Sequence, residues 1–186
     1  MASINIAVIV GSNRRESINR KLANALVDLG KGKAEFSFTQ IDDLPMFNQD
    51  LENAPPASVG RFKAAIGAAD GLLVITPEHN RSISALLKNA IDWGTRPYGQ
   101  NVWAGKTAAI TGTSRSAIST AVAQQHLRHV LGSLGALVMG SDVNVNFKPD
   151  LLDDAGHIAN ADTRKFLQSF IDKFVSLVTT LKAGAD

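Results

Sequence analysis

The chain has 186 residues, 45% of them hydrophobic and 19% charged, with a formal net charge of +2 at pH 7. This length suits one domain with a sizeable core, expected to span residues 1–186, and so small a charge with no block of Lys or Arg excludes a nucleic-acid-binding stripe. The absence of cysteine excludes disulfides, iron–sulfur ligation and thiolate chemistry.

Residues 4–10 form a β-branched apolar run that reads as a strand buried on both faces. No basic residue precedes the run, and it is far too short to cross a bilayer, so a cytoplasmic location is expected. A polar loop over residues 12–17 leads to a helix with Ile18, Leu22, Ala25, Leu26 and Leu29 on one face, ended by Gly30 and Gly32. Residues 34–41 read as the second strand, and Pro55-Pro56 precedes a helix over residues 57–68. Residues 71–76 form another buried strand stopped by Pro77, and residues 82–93 carry helix spacing at Ile83, Leu86, Leu87, Ala90 and Ile91. Residues 107–111 read as a third such strand broken by Gly112-Thr113-Ser114. A long helix over 118–134, a short strand over 136–139 and a closing helix over 163–181 complete the pattern. Residues 140–160 are rich in turn formers and are expected to cross the functional edge. Strands alternating with helices at this spacing define an α/β chain with a parallel sheet and right-handed crossovers.

In an open sheet of this kind, ligands bind beyond the carboxyl ends of the strands, where strand order reverses. Three loops qualify: residues 11–19, 77–82 and 112–115. In the first, hydroxyls, backbone N–H groups and a guanidinium converge on a helix N-terminus, whose unpaired donors and partial positive charge suit a phosphate monoester. The same residues also read as an N-cap at Ser17 beside solvated arginines, and the loop alone leaves both open. It lacks Gly-x-Gly-x-x-Gly and Gly-Lys-Ser/Thr, so neither a dinucleotide fold nor a phosphate-loop NTPase is supported. Few glycines with several hydroxyls point instead to a mononucleotide. The second loop offers amides and Asn80 to a flat heterocycle, although alone it reads first as helix capping by Asn80 and Ser82.

Gly11-Ser12-Asn13-Arg14-Arg15-Glu16-Ser17-Ile18-Asn19, then Pro77-Glu78-His79-Asn80-Arg81-Ser82, then Leu87-Lys88-Asn89-Ala90-Ile91-Asp92-Trp93 resemble the NAD(P)H-dependent FMN reductase family. That family includes quinone, azo-dye and chromate reductases. The likeness runs over nearly the whole chain, taking in Ala104-Gly105-Lys106 and Gln125-His126-Leu127-Arg128. It implies a flavodoxin-like five-stranded parallel sheet in the order 2-1-3-4-5, with helices on both faces. It also implies FMN as cofactor, NADPH or NADH as co-substrate, and ping-pong two-electron reduction of a small-molecule acceptor by a homodimer or homotetramer. By the same resemblance, Ser12, Arg14, Ser17, Ile18 and Asn19 bind the FMN phosphate. Pro77, Glu78, His79 and Asn80 line the isoalloxazine, and Thr113 and Ser114 approach the ribityl chain or phosphate. No catalytic side chain and no metal is expected, because the hydride chemistry belongs to the cofactor.

Two features depart from the family pattern: His79 stands where Tyr is usual, and Ser119-Thr120-Ala121-Val122 replaces Gly-Gly-Ala-Arg. A different reading on the same fold is a one-electron carrier. Such carriers are commonly acidic and shield their flavin with aromatic residues, whereas this chain is 6% aromatic and its first two loops have none. A non-enzymatic binding module is a third reading, since fold does not fix function. Elsewhere, His126 and His129 share a helix face without a further ligand cluster, and His126 is expected in a core or subunit contact. Arg81, Arg96 and Arg115 read as solvated surface that an anionic substrate would also suit. Trp93, Trp103 and Tyr98 are of the type used at interfaces.

Overall fold

The computed structural model describes residues 3–184. Six strands run through it: β1 (Asn5–Val10), β2 (Glu35–Thr39), β3 (Gly71–Ile75), β4 (Thr107–Ser114), β5 (Leu137–Val138) and β6 (Asn144–Asn146). Five α-helices connect them: α1 (Ile18–Leu29), α2 (Ala57–Ala68), α3 (Ala85–Gly94), α4 (Ala121–Ser133) and α5 (Ala161–Ala183). The main path of the sheet is β2-β1-β3-β4-β5, parallel throughout, as the family resemblance implies. A short sixth strand, β6, pairs with the far end of β4.

Alternation along the central strands divides the core into two layers. Ile6, Val8, Leu73, Ile75 and Ala109 point to one face, where Leu22 and Leu26 of α1 and Phe170, Ile171 and Phe174 of α5 cover them. Ala7, Ile9, Leu72, Val74, Ala108 and Ile110 point to the other, against Phe62 and Ile66 of α2, Leu87 and Ile91 of α3, and Leu127 and Leu131 of α4. Each fully buried Leu, Ile or Phe contributes about 1.5–3 kcal/mol, and this two-sided burial explains why β1 and β3 read as unbroken apolar runs.

Both tryptophans belong to this core rather than to an exposed interface. Trp93 is buried, donates Nε1–H to the Pro45 carbonyl at 2.8 Å, and meets the Phe47 ring edge-on. Trp103 is buried against Phe62 and donates to the Ile91 carbonyl at 3.0 Å. Of these three residues Tyr98 alone lies outside, 93% exposed.

Beyond shifts of a few residues at other element ends, four expectations change. Strand β4 does not break at Gly112 but continues to Ser114, because β6 supplies partners for Gly112, Thr113 and Ser114. Helix α3 begins at Ala85 rather than Ser82, because residues 79–82 are consumed by a tight turn and Ser84 makes the cap. Helix α4 begins at Ala121, after a bend in which Ser119 adopts φ 53°. Finally, residues 140–160 do not all cross the functional edge. Residues 144–146 extend the sheet there, but residues 147–157 turn away and pack along α1, around a cavity of about 700 Å³ shared with Lys21, Asp28 and His157.

Candidate active site at the carboxyl edge

The loops after β1, β3 and β4 lie side by side at the carboxyl edge, because those strands are neighbours in register. The structure ties them together through side chains whose roles differ from one residue to the next.

After β1, Gly11 donates its N–H to the Ile75 carbonyl at 2.8 Å, which keeps the loop in line with β3. Its carbonyl accepts from the buried Ser84 hydroxyl at 2.6 Å, and Ser84 Oγ in turn accepts from the Leu87 N–H, capping α3. A Cβ at Gly11 would lie 3.2 Å from Leu87, Pro77 and Ser84 at once, so the close approach favours glycine. Ser17 is a true N-cap, buried, with Oγ accepting from the Arg20 N–H at 3.2 Å. Among the described residues the N–H groups of residues 12–16, Ile18 and Asn19 have no protein acceptor, and the side chains of Ser12, Arg14 and Arg15 have no partner. Arg14 and Arg15 line a cavity of about 160 Å³ with Ser12, Asn13, Arg20 and Asp42. Arg20 is held over the Phe38 ring at 4.6 Å.

Asn19 is buried, and its amide engages β4 through both its oxygen and its nitrogen. Nδ2 donates to the Thr113 carbonyl at 3.0 Å, and Oδ1 accepts the Thr113 N–H at 2.9 Å. Thr113 spends its hydroxyl as well, donating to the Val145 carbonyl of β6 at 2.7 Å. Asn19 therefore faces the edge with its backbone N–H and not its side chain, and every polar group of Thr113 is committed to the protein. Ser114 sits at the rim, its hydroxyl shared between the Ser119 carbonyl and Ser116 Oγ.

After β3, residues 79–82 close a two-residue turn. His79 and Ser82 exchange both backbone hydrogen bonds at 2.9 Å, while Asn80 and Arg81 adopt φ 50° and 63°. This is the turn type with two left-handed central residues, in which Asn is at ease and Arg is not. Pro77 is buried and its carbonyl accepts the Thr76 hydroxyl at 2.7 Å. The side chains of His79, Asn80 and Arg81 are exposed. Glu78 instead turns inward, and its Oε2 accepts the N–H groups of Val122 and Ala123 at 3.0 and 3.1 Å. His126 is exposed, so it is not the core residue that was one of its two expected places, and it brings Nδ1 within 3.3 Å of Ser82 Oγ. Among the described residues no group of three His, Asp or Glu side chains gathers as a metal site.

Sequence reasoning missed the tethers Ser84, Ser119 and Gln124. Ser84 carried a visible signal, a serine directly before the apolar helix run, but Asn80 and Ser82 competed for the same role. Ser119 donates its hydroxyl to the Val145 carbonyl at 2.6 Å, and Gln124 Nε2 reaches the Val143 carbonyl at 3.1 Å. Both depend on β6, which no pattern announced.

Fold and site together define an open parallel α/β protein whose carboxyl edge carries a basic, amide-rich loop at a helix N-terminus, beside a tight two-residue turn. The chain belongs to the NADPH-dependent FMN reductase family, whose model matches residues 4–150. It is 46% identical over 177 residues to a 2-hydroxy-1,4-benzoquinone reductase from a Burkholderia species, covering 95% of this chain and 97% of that one. A quinone reductase of Pseudomonas putida is 43% identical over 180 residues, with 96% of each chain covered. Among solved structures, the flavoenzyme NAD(P)H:(acceptor) oxidoreductase FerB of Paracoccus denitrificans superposes with a TM-score of 0.92 at 43% identity, over 95% of this chain and 98% of that one.

The residues present fit FMN. Free first-turn amides of α1, loop amides and a guanidinium at residue 14 match a dianionic phosphate. The turn at 77–82 presents exposed backbone and a side-chain amide on the neighbouring strand end.

Proposed function

We propose that this chain is an NAD(P)H-dependent FMN-containing oxidoreductase that reduces quinones by two electrons, its donor and acceptor using one open face in turn. The observation that carries this reading is the unequal state of the helix N-termini at the carboxyl edge. Helix α4 is closed, its first-turn amides accepted by Glu78 and by the Ile118 carbonyl. The Ser84 hydroxyl that caps α3 is committed on both sides, to Gly11 and to Leu87. The Ala85 and Leu86 amides of α3 are free as well, but among the described residues α1 alone joins free first-turn amides to a loop of free amides and two unpartnered guanidiniums.

In this reading Ser12, Arg14, the Ser17 hydroxyl and the backbone N–H groups of Ile18 and Asn19 hold the phosphate. Pro77, His79 and Asn80 support the isoalloxazine, Glu78 acting from behind, and the Thr113–Ser114 segment borders the ribityl chain. When bound, the flavin supplies hydride acceptance and return, so the protein's part is orientation and electrostatics. Hydride transfer needs no protein nucleophile or general base, which is why no catalytic residue is assigned. Exposed His79 and Arg81 leave the face above the turn open to planar acceptors, quinones first. Azo dyes and chromate-type oxyanions are further acceptors consistent with such an open rim. The reading takes the whole chain as one flavin-binding domain acting in the cytoplasm as a homodimer or homotetramer. Exposed Tyr98, beside Ile91, Val130 and Leu134 in a shared groove, offers a surface for that association.

The test is a visible spectrum of the purified protein with FMN under anaerobic conditions. Bleaching by NADPH or NADH and recovery on adding a benzoquinone is the expected result. A retained flavin that neither nicotinamide bleaches would favour the one-electron carrier, and a protein that retains no flavin would refute the proposal.

A further inference from the structure

The turn at 77–82 is not held by its own sequence. Two consecutive left-handed residues, one of them Arg81, cost on the order of 1–2 kcal/mol for the non-glycine residue least suited to the region. Something outside the turn must hold it. The His79–Ser82 backbone pair closes it, and Glu78 anchors it: the Glu78 side chain is 8% exposed, with Oε2 on the Val122 and Ala123 amides. The cap is needed in its own right, because Thr120, at the N-cap position of α4, makes no side-chain cap of its own. Its Oγ1 accepts instead from Gln124 Nε2 at 3.0 Å. The Arg81 contact with Glu78 Oε1, at 3.3 Å from a mostly exposed guanidinium, adds little in water.

We propose that Glu78 is a positioning residue for the flavin ring system: its carboxylate, gripped by the first turn of α4, locks the Pro77–Ser82 turn into the shape on which the isoalloxazine rests. The inference rests on the FMN reading above, and it assigns the side chain to the turn's geometry rather than to contact with the cofactor. What matters at this position is an acceptor of two N–H bonds, not a charge. The cap on α4 and the support of the turn are then two separable duties of one group.

Three variants separate them: Glu78→Ala, Glu78→Gln, and Glu78→Ala combined with Ala121→Glu, which returns a negative charge to the first turn of α4 without touching the turn at 77–82. Hydrogen exchange is followed at the His79 and Ser82 amides of the apoprotein, with thermal unfolding alongside, and affinities are measured for FMN and for phosphate-free riboflavin. Glu78→Ala is expected to speed exchange at both amides and to weaken FMN and riboflavin by the same factor, roughly tenfold or more. Glu78→Gln, whose amide oxygen accepts the same two bonds, is expected to stay near wild type. The double variant is expected to recover melting temperature but neither the exchange protection nor the flavin affinity. Unchanged exchange in Glu78→Ala, flavin affinity restored by Ala121→Glu, or Glu78→Gln failing as badly as alanine would each overturn the proposal. The exchange result decides it in the apoprotein, so a wild-type chain that binds no flavin would sink the FMN reading without obscuring this one.

Discussion

Replacing Asn19 with alanine removes the side chain that, alone among the described residues, hydrogen-bonds the first turn of α1 to β4 at the edge. The native amide makes two hydrogen bonds, at 2.9 and 3.0 Å, to the N–H and carbonyl of buried Thr113. Alanine leaves both backbone groups without a partner, and each orphan costs about 1–3 kcal/mol. With some relaxation a loss of about 3 kcal/mol is expected, a large share of a typical domain's 5–15 kcal/mol. For a chain of this size that lowers the melting temperature by roughly 6–12 °C. The assay is urea and thermal unfolding of the apoprotein followed by far-UV circular dichroism, paired with FMN titration, because the loss also frees the α1 amides to drift. Asn19→Asp sharpens the argument. One of its oxygens replaces Oδ1, but the other confronts the Thr113 carbonyl, so at pH 7 aspartate should cost at least as much as alanine. Relative to wild type it should recover as pH falls and the protonated carboxyl becomes a donor. An alanine variant within about 1 kcal/mol of wild type, or an aspartate variant equal to wild type at pH 7, would refute the two-point clamp.

Arg14→Ala is expected to weaken FMN binding by about 1.5–3 kcal/mol while leaving riboflavin almost unaffected, and equal loss for both ligands in fluorescence titration would remove Arg14 from the phosphate site. Gly112→Ala places a Cβ against the Thr76 carbonyl and 2.6 Å from Thr120 Oγ1, so it should destabilise by about 3 kcal/mol or more, and a melting temperature within a degree or two of wild type would contradict that packing. Burial pushes the Asp70 carboxyl up, but the Asn5 N–H at 2.8 Å and the Lys182 ammonium at 2.8 Å outweigh it and hold it below the usual carboxylate range. A lowered folded pKa gives stability that is present above the unfolded value near 4 and is lost as pH falls through the folded one, so Asp70→Asn should cost more at pH 7 than at pH 3 in denaturant titrations at the two pH values.

How much was legible in the chain follows from which interactions are local. Runs such as residues 4–10 and 71–76 read correctly as buried strands, because burial on both faces leaves no room for polar positions, and α1 was visible from its spacing and its cap at Ser17. Two loops of the edge were also visible, their strand ends marked by Gly11 and Pro77, whereas most of the third, expected at residues 112–115, is strand β4. Side-chain destinations were not. Asn19, Glu78 and Thr113 sit in motifs that resemble cofactor contacts, yet their side chains bind the protein, through partners 94, 44 and 32 residues away in the chain. The break expected at Gly112 was a β4 that continues, because a three-residue strand 32 positions later completes its hydrogen bonds.

The sequence by itself thus determined the alternation of strands and helices, the parallel sheet and the motifs that carry the family, since each depends on periodicity or on residues adjacent in the chain. Only the tertiary structure decided which polar groups at the edge are spent on the fold and which remain free for a ligand. A hydrogen bond satisfies a donor once, and whether its partner is a distant backbone group or a bound molecule depends on where the chain has placed that partner in space.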